Sequence, residues 1–205
     1  MGYSVFHKMR LPMFVLVLFS LALVLPQQAW SGQLTAQQAL VQKISDRMQQ
    51  ALKGKPSPSR AYSLVNQIIV PYINFNMVAK RALGDDYWNK ATAGQRSRFV
   101  AQFKKMLVRT YSSAFASYNT WTMQHLGVKG SGKASAVSTR VSPAGASSVN
   151  VTYLMYGGGN SWKVYDIYIA GVSLAKSHSA SFQGIVRSSG MEGLIKQLSA
   201  LNGRG

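Results

Sequence analysis

The sequence predicts an α+β domain in which helices pack on one face of a four-stranded antiparallel meander sheet. Apolar residues recur at helical spacing through most of residues 35–118. Between residues 121 and 170 that spacing gives way to short segments rich in Val, Thr, Tyr and Ser, separated by turns that contain glycine. Helical spacing then returns near the C-terminus. Helices first, an antiparallel sheet next and helices last are typical of this fold class.

The first 31 residues predict a cleaved export signal. A basic stretch at residues 7–10 precedes an apolar run from Leu11 to Leu25. That run has about 15 residues, fewer than the roughly 20 that a membrane-spanning helix needs. Small residues at Ala29 and Ser31 suit the −3 and −1 positions of a signal peptidase site, which predicts cleavage after Ser31. We therefore expect an exported protein with one domain over residues 32–205.

Capping and stop signals predict three helices in the next part of the chain: from Thr35 to Gly54, from Arg60 to Val70 and from Asn74 to Leu83. Thr35 with Gln38 has the spacing of a capping box, in which each side chain bonds the other residue's backbone. Pro71 halts the second helix because proline cannot continue the backbone hydrogen-bond pattern. Gly84 closes the third.

The fourth predicted helix is the longest, and it runs from Thr92 to Tyr118. It begins with a second capping box, Thr92 with Gln95, and extends roughly 40 Å at 1.5 Å per residue. One face carries Phe99, Phe103, Leu107, Tyr111 and Phe115, and the opposite face carries Arg96, Arg98, Lys104, Lys105 and Arg109. So wide an apolar stripe must be buried, against either a solid core or an apolar ligand.

The remaining elements are four strands and two helices. We predict strands at residues 121–129, 134–142, 148–156 and 161–170, a helix from His178 to Arg187, and a last helix from Ser189 to Leu201 that is capped by Ser189 with Glu192. In the fourth strand, alternation places Tyr165, Ile167 and Ile169 on one face. It places Asp166 on the other face, with Trp162 and Val164.

Amino-acid composition limits the classes of binding partner and the kinds of reactive site that the chain can have. After signal removal the chain has 21 basic and 5 acidic side chains, a formal charge of +16. Such a charge suits nucleic acid, an anionic membrane surface or an acidic protein. The cations are scattered without a run of five, which favours a generally basic surface. The chain has no cysteine, which excludes disulfides and thiolate chemistry.

Candidate catalytic groups are few. The mature chain has two histidines, His125 and His178, and no nucleophile or phosphate-loop motif accompanies either. Asp85 and Asp86 are expected in a turn or at a helix N-terminus. No combination of residues has metal-ligand spacing, so we expect no catalytic residue, no metal and no cofactor. Asp166 alone, a carboxylate within an apolar strand, could be a general base in an isomerase-like pocket; the simpler alternative is that it points outward or pairs with a basic residue.

Two long blocks carry a family resemblance. Residues 70–118 contain, in order, a proline-led helix, a leucine–glycine stop, a tryptophan, an Ala-Thr cap, a Gln-Arg pair and a long Phe-rich helix. With residues 161–198, this stretch resembles the MlaC family of periplasmic phospholipid shuttles, also described as toluene-tolerance proteins. The resemblance implies a sheet related to those of cystatin and nuclear transport factor, with an apolar cavity between the helices and the sheet for acyl chains.

The resemblance also implies which residues touch lipid. They are Phe75, Val78, Phe99, Phe103, Met106, Leu107, Tyr111 and Phe115 from the helices, Val151, Tyr153, Met155, Tyr165, Ile167 and Ile169 from the sheet, and Val172 and Phe182 at the closing end. Basic residues near the cavity mouth are expected to favour an anionic headgroup.

The implied partners are an outer-membrane lipoprotein complex and an inner-membrane ABC transporter with an MCE-domain subunit. The chain departs from the commonest family pattern at Ala170, where many relatives have an acidic residue, and in the polar loop from Ser142 to Ser148. A similar branch of the family occurs in hopanoid-making bacteria, so a hopanoid or another polycyclic ligand is the alternative to phospholipid.

Overall fold

The computed structural model describes residues 33–54, 56–118 and 120–203. The predicted signal peptide and its cleavage after Ser31 lie outside the described residues. From Leu34 onward the chain forms one compact unit. Its elements follow the predicted order of helices, an antiparallel sheet and a closing helical segment. The α+β class is therefore confirmed.

The first two helices begin at side-chain caps. Helix α1 (Ala36–Ala51) has the predicted capping box, with the Gln38 amide donating to Thr35 Oγ1 at 3.3 Å and the Thr35 amide to Gln38 Oε1 at 3.0 Å. Helix α2 (Pro58–Ile68) starts two residues earlier than predicted, because Ser57 caps it and Pro58 suits the first turn. A 3₁₀ turn, Val70–Tyr72, takes up the residues around Pro71.

The next two helices meet without a connecting loop. Asn74 caps helix α3 (Phe75–Leu83) as predicted, and its Oδ1 accepts from the Met77 amide at 3.2 Å. Helix α4 (Asp85–Lys90) follows at once, so Asp85 and Asp86 lie in a first helical turn, the second of the two expected positions. Negative charge is favourable there because the helix N-terminus carries partial positive charge.

Helix α5 (Ala93–Ser117) confirms the long helix and its capping box. It packs against α2, α3 and the C-terminal helix, so it is the central helix of the domain. The N-terminal part of its aromatic stripe enters a solid core. Phe99 and Phe103 are buried and stack at 5.7 Å between ring centroids, and both meet the Phe182 ring edge to face.

The sheet is an antiparallel meander in the order β1-β2-β3-β4-β5. The strands are β1 (Trp121–Lys129), β2 (Ala134–Pro143), β3 (Val149–Tyr156), β4 (Lys163–Ile169) and β5 (Val172–Ser173). The first four confirm the predicted strands. The two-residue β5 was not predicted, because so short a strand leaves no alternation in the sequence. Helix α1 contacts β1 and β2, while α3 contacts β4.

A bulge in β4 changes which residues face the helices. Leu154 is opposite Asp166, but Met155 is opposite Val164, so Tyr165 has no partner in the register. The extra residue reverses the alternation on its N-terminal side. Val164 consequently shares a face with Ile167 and Ile169. The prediction that Tyr165 shares that face was wrong, since alternation cannot reveal a bulge.

The C-terminal segment differs from the prediction at its centre. A 3₁₀ turn, Lys176–His178, precedes α6 (Ser179–Gly203), which is broken at Gly190, where φ is 66° and ψ is 179°. That backbone conformation is essentially open only to glycine. The two predicted helices are present on either side of the break. Glu192 does not close a capping box with Ser189; its carboxylate accepts from Gln95 and Arg98 of α5.

The turn between β4 and β5 strains a non-glycine residue. Ile169 is opposite Val172, and the two residues between them, Ala170 and Gly171, have φ of 50° and 82°. A two-residue hairpin of this kind requires positive φ at both central positions, which favours Asn or Gly. Alanine in this region costs about 1 kcal/mol relative to residues that tolerate it.

Replacing Ala170 with asparagine should therefore raise the free energy of unfolding by about 0.5–1 kcal/mol. The measurement is urea denaturation followed by far-ultraviolet circular dichroism. Gly171→Ala is the matched control, because a Cβ there meets no atom within 4 Å and adds only backbone strain. It should lower stability by a similar amount. A neutral effect of both substitutions would contradict the strained turn.

Both histidines are partly withdrawn from water. His178 stacks on Phe182 at 5.4 Å and meets Phe103 at 5.5 Å between ring centroids, and its Nε2 is buried without a hydrogen-bond partner. His125 Nε2 lies 3.0 Å from Gln42 Oε1, while its Nδ1 is buried and unpartnered. Burial lowers the pKa of both imidazoles below 6.5.

Stability should consequently fall as the pH drops below about 6.5. In that range the unfolded chain binds protons that the folded imidazoles do not, so the free energy of unfolding rises with pH. The slope is at most about 1.4 kcal/mol per pH unit for each histidine, and it ends below the lowered folded-state pKa. Chemical denaturation between pH 7.5 and 5 measures it. His178→Phe, which suits the aromatic surroundings, should reduce the slope; an unchanged slope would contradict the assignment to His178.

Candidate functional site

An apolar cavity of about 390 Å³ lies between the helices and the inner face of the sheet. Helices α1, α2, α3 and α5 supply one wall, and strands β1 to β4 supply the other. Leu174 and Ala175, which follow β5, close one side. The volume lies in the range of small-molecule sites, and the lining is almost entirely aliphatic and aromatic.

The cavity opens near the C-terminal end of α5. Two of its lining residues there are exposed, Ala114 and Tyr118, the latter with 45% of its surface accessible. The turn after β2 lies beside them, since the Ala144 amide donates to the Thr120 carbonyl at 2.9 Å. By register, the β4–β5 turn is at the same end of the sheet. We call this end the mouth.

Nine of the sixteen residues predicted to touch lipid line this cavity: Phe75, Val78, Leu107, Tyr111, Phe115, Val151, Tyr153, Ile167 and Ile169. Five come from α3 and α5, and four come from β3 and β4. The structure thus brings the predicted helical and strand residues together around one space. Whether they touch lipid stays a prediction.

The other seven do not line the cavity: Phe99, Phe103, Met106, Met155, Tyr165, Val172 and Phe182. The three phenylalanines form the solid core between α5 and α6, and Met106 packs against the same cluster. Met155 of β3 is fully buried in a cluster with Val137 and Trp162. The bulge removes Tyr165 from the inner face, and its ring lies under the Arg81 guanidinium at 5.8 Å. Val172, expected at the closing end, is 59% exposed on β5.

Several wall residues were missed, chiefly Val41, Ile44 and Met48 of α1 and Val65 of α2. The signal for them was present, because the α1 residues stand at helical spacing after the capping box. That spacing shows which side of a helix is buried. It does not show whether the side faces a packed core or an open space.

Asp166 forms an ion pair with Arg81, and four donors fill the hydrogen-bonding capacity of its carboxylate. Its side chain has no exposed surface, and Oδ2 accepts from Arg81 Nε at 2.6 Å and from Ser173 Oγ at 2.6 Å. Oδ1 accepts from the amides of Ile167 at 2.8 Å and Ala175 at 3.2 Å. The expected pairing with a basic residue is confirmed. Four donors surround the carboxylate, so it has no oxygen free to remove a proton from a ligand.

Other chemistry is sparse within the described ranges. No group of three or more His, Cys, Asp or Glu side chains there could hold a metal ion. No helix in those ranges is both long enough and apolar enough to cross a bilayer.

The arginines of α5 bind the neighbouring helices. Arg96 Nε donates to the Trp88 carbonyl at 2.8 Å, Arg98 pairs with Glu192, and Arg109 Nη1 donates to the Asn202 carbonyl at 2.8 Å. Lys104 Nζ lies 5.5 Å from the centre of the Phe75 ring. The polar face of this helix therefore connects it to α4, α6 and α3, rather than being only a solvated surface.

Three sequence segments that reach the mouth contain no charged side chain. Residues 110–128, 141–162 and 167–175 contain no Lys, Arg, Asp or Glu, although the whole chain has 23 basic residues. Basic residues were expected near the mouth. None belongs to these three segments, but Arg140 directly precedes the second of them and donates to Asn150 Oδ1 at 3.3 Å. The expectation stays a prediction.

Comparisons with known proteins identify the family of this chain. A family model described as MlaC protein matches residues 38–200. The chain is 28% identical over 167 residues to the intermembrane phospholipid transport system binding protein MlaC of Haemophilus influenzae, covering 79% of this chain and 78% of that protein. It is 26% identical over 137 residues to the toluene tolerance protein ttg2D of Pseudomonas putida, covering 66% and 64%.

One similar solved structure is a phospholipid-binding protein from Ralstonia solanacearum, determined in complex with a phospholipid. It superposes with a TM-score of 0.73 at 28% sequence identity, and the match covers 82% of this chain and 97% of that one. The similarity therefore extends over nearly the whole of a related lipid-binding fold.

Proposed function

This chain belongs to the MlaC family, and from that premise we propose that it is a carrier that holds phospholipid acyl chains in the cavity between α5 and the sheet. The observation that carries the proposal is the cavity itself, about 390 Å³ in volume with almost wholly apolar walls. The phospholipid complex of the similar Ralstonia protein supports the ligand class.

Burial of the acyl chains explains why no catalytic group is needed. Each buried methylene contributes about 0.8 kcal/mol, so two chains of roughly 16 carbons resist transfer through water by on the order of 25 kcal/mol. A wall of aliphatic and aromatic side chains resembles the bilayer interior and removes most of that cost. A carrier therefore needs only to keep the acyl chains out of water. The nine predicted residues on the cavity wall are the proposed contacts for those chains.

We further propose that the chain works in the periplasm after cleavage near Ser31. The charged and apolar pattern of residues 7–31 supports export. The proposed partners are an outer-membrane lipoprotein complex and an inner-membrane ABC transporter with an MCE-domain subunit, between which lipid is shuttled. The name of the Haemophilus relative, an intermembrane phospholipid transport binding protein, supports this arrangement.

The test is native mass spectrometry of the mature protein purified from cells, followed by lipid extraction and identification. We expect a stoichiometric adduct that resolves into diacyl phospholipid. Ala114→Trp places a large side chain at the mouth and should reduce the lipid recovered. Ala101→Trp is the matched control, because Ala101 is also exposed on α5 but does not line the cavity; it should leave recovery unchanged.

Other outcomes separate the alternatives. An adduct with the mass of a hopanoid or another polycyclic molecule would replace the phospholipid assignment and leave the carrier function. A bare polypeptide that also takes up no added phospholipid would overturn the carrier function. Equal lipid recovery from the two tryptophan variants would show that lipid does not enter beside Ala114.

A further inference from the structure

Few side chains on the cavity wall can form hydrogen bonds. Within the described part of the chain they are Ser45, Tyr72, Tyr111, Tyr118, Trp121, Tyr153 and Asp166. A ligand whose only polar contacts come from the wall must use one of these groups. Hydrogen bonds within the protein and depth in the cavity decide which of these groups can meet the polar part of a lipid.

Two of the polar sites are satisfied within the protein. Trp121 Nε1 donates to Ser45 Oγ at 2.9 Å, and Asp166 accepts from four protein donors. The Trp121 indole and the Asp166 carboxylate therefore need no hydrogen bond from a ligand, whereas Ser45 is only an acceptor in its bond to Trp121. Tyr153 lies deeper in the cavity, because it is opposite Ile167, two residues farther from the mouth than the Val151–Ile169 pair.

Two further tyrosines are poorly placed for the polar part of a lipid. Tyr72 belongs to the 3₁₀ turn before α3, and its ring lies 5.7 Å from the Lys163 ammonium. Lys163 is at the end of the sheet opposite the mouth, where it pairs with Tyr156. Tyr118 is 45% exposed, so water reaches it whether or not a ligand is bound.

Tyr111 is the tyrosine of the cavity wall that lies just inside the mouth. It stands one helical turn inside the exposed Ala114, about 4.5 Å along the helix axis. Its ring is half-buried on the cavity wall, and its hydroxyl makes no hydrogen bond to a described residue. Burial raises the pKa of this phenol above 10, so the hydroxyl keeps its proton and remains a donor.

A diacyl phospholipid has acceptors at that depth. Its ester carbonyls join the acyl chains to the headgroup, so with the chains in the cavity and the headgroup in water the esters lie just inside the mouth. The segments that meet there are uncharged, so a neutral donor is the group available on them. We propose that the Tyr111 hydroxyl donates a hydrogen bond to an ester carbonyl of the bound lipid, which makes the site selective for ester-linked lipids.

This inference rests on the proposed lipid carriage and adds the part of the lipid that the protein recognises. A neutral hydrogen bond of this kind corresponds to a difference of about three- to tenfold in affinity. Ether-linked phospholipid with the same headgroup and chain length lacks the carbonyl and keeps everything else. Comparison of the two lipids therefore isolates the proposed contact.

The experiment measures dissociation constants of delipidated mature protein for matched diester and diether phosphatidylcholines. Wild type should prefer the diester lipid about three- to tenfold. Tyr111→Phe should remove that preference by weakening diester binding alone, with diether affinity unchanged. Tyr156→Phe, which removes a hydroxyl from an exposed tyrosine that does not line the cavity, is the matched control and should keep the wild-type ratio.

The outcomes separate this inference from the carrier function. Binding of both lipids with a ratio near one in wild type, or a ratio that Tyr111→Phe does not change, overturns the ester contact and leaves the carrier function. Failure of wild type to bind either lipid overturns both. The wild-type ratio needs no variant, so a poorly folded Tyr111→Phe protein would not obscure the result.

Discussion

Asp166→Ala should lower the free energy of unfolding by about 3–5 kcal/mol. The substitution removes the carboxylate that Arg81 pairs with at 2.6 Å and leaves the Ser173 hydroxyl and the Ala175 amide without their acceptor. The Asp166 side chain is fully buried and that of Arg81 is 27% exposed, so water can compensate only partly. Urea denaturation of the two proteins provides the measurement.

The matched control removes an ion pair from the surface. Asp85 pairs with Lys80 at 3.1 Å, and the two side chains are 77% and 47% exposed. Asp85→Ala should therefore cost no more than about 1 kcal/mol. A similar cost for the two alanine variants would contradict the assignment of Asp166 as a buried structural anion.

Asp166→Asn adds a functional readout to the same position. An amide keeps the shape of the side chain while losing its charge. The carrier function predicts that lipid copurifies with this variant in the wild-type amount once its lower stability is allowed for. A general base at this position would instead make the residue indispensable for turnover of a bound molecule, and lipid conversion by wild type that the variant lacks would support that role.

Phe103→Ala should cost about 3–5 kcal/mol of folding stability, the usual range for removing a buried phenylalanine ring. Phe103 is 1% exposed and contacts Phe99, Phe182 and His178. These neighbours lie on α5, on α6 and in the 3₁₀ turn before α6, so they cannot collapse into the vacated space unless the backbone moves. Thermal and urea unfolding both measure the loss.

Phe115→Ala on the same helix is the comparison that separates core from cavity. Phe115 is half-buried and lines the cavity. Its ring packs against that of Trp121, with 5.9 Å between the ring centroids. Its removal enlarges a space that already exists, so we expect a smaller loss of stability and a lower retention of lipid. Equal stability losses, with lipid retention unchanged in Phe115→Ala, would contradict the division of the aromatic stripe.

That division marks the limit of prediction from sequence. Capping residues such as Thr35 and Thr92 act on their own neighbours, so local pattern was enough to place the starts of α1 and α5. The stripe on α5 was equally visible. Its split into a core half and a cavity half depends on where α6 and the sheet lie, which no local spacing contains.

Errors in the sheet have the same origin. The bulge at Tyr165 arises from the way β4 pairs with β3, and it reverses the face assigned to Val164 and Tyr165. Period-two alternation assumes an unbroken ladder, so one extra residue makes it misleading beyond that point. For Val172, β5 is too short to show a pattern, and the residue is 59% exposed on this edge strand.

The scarcity of polar groups on the cavity wall has a consequence for unloading. Water inside a cavity is stable when it finds two to four hydrogen-bonding partners, whereas this wall is almost wholly apolar and its Asp166 carboxylate and Trp121 indole are already bonded within the protein. Departure of a ligand therefore leaves a space that solvent fills poorly. The free-energy penalty is borne by the emptied protein, so direct exchange of one occupant for another, or transfer into an adjoining apolar conduit, is favoured over release into solution.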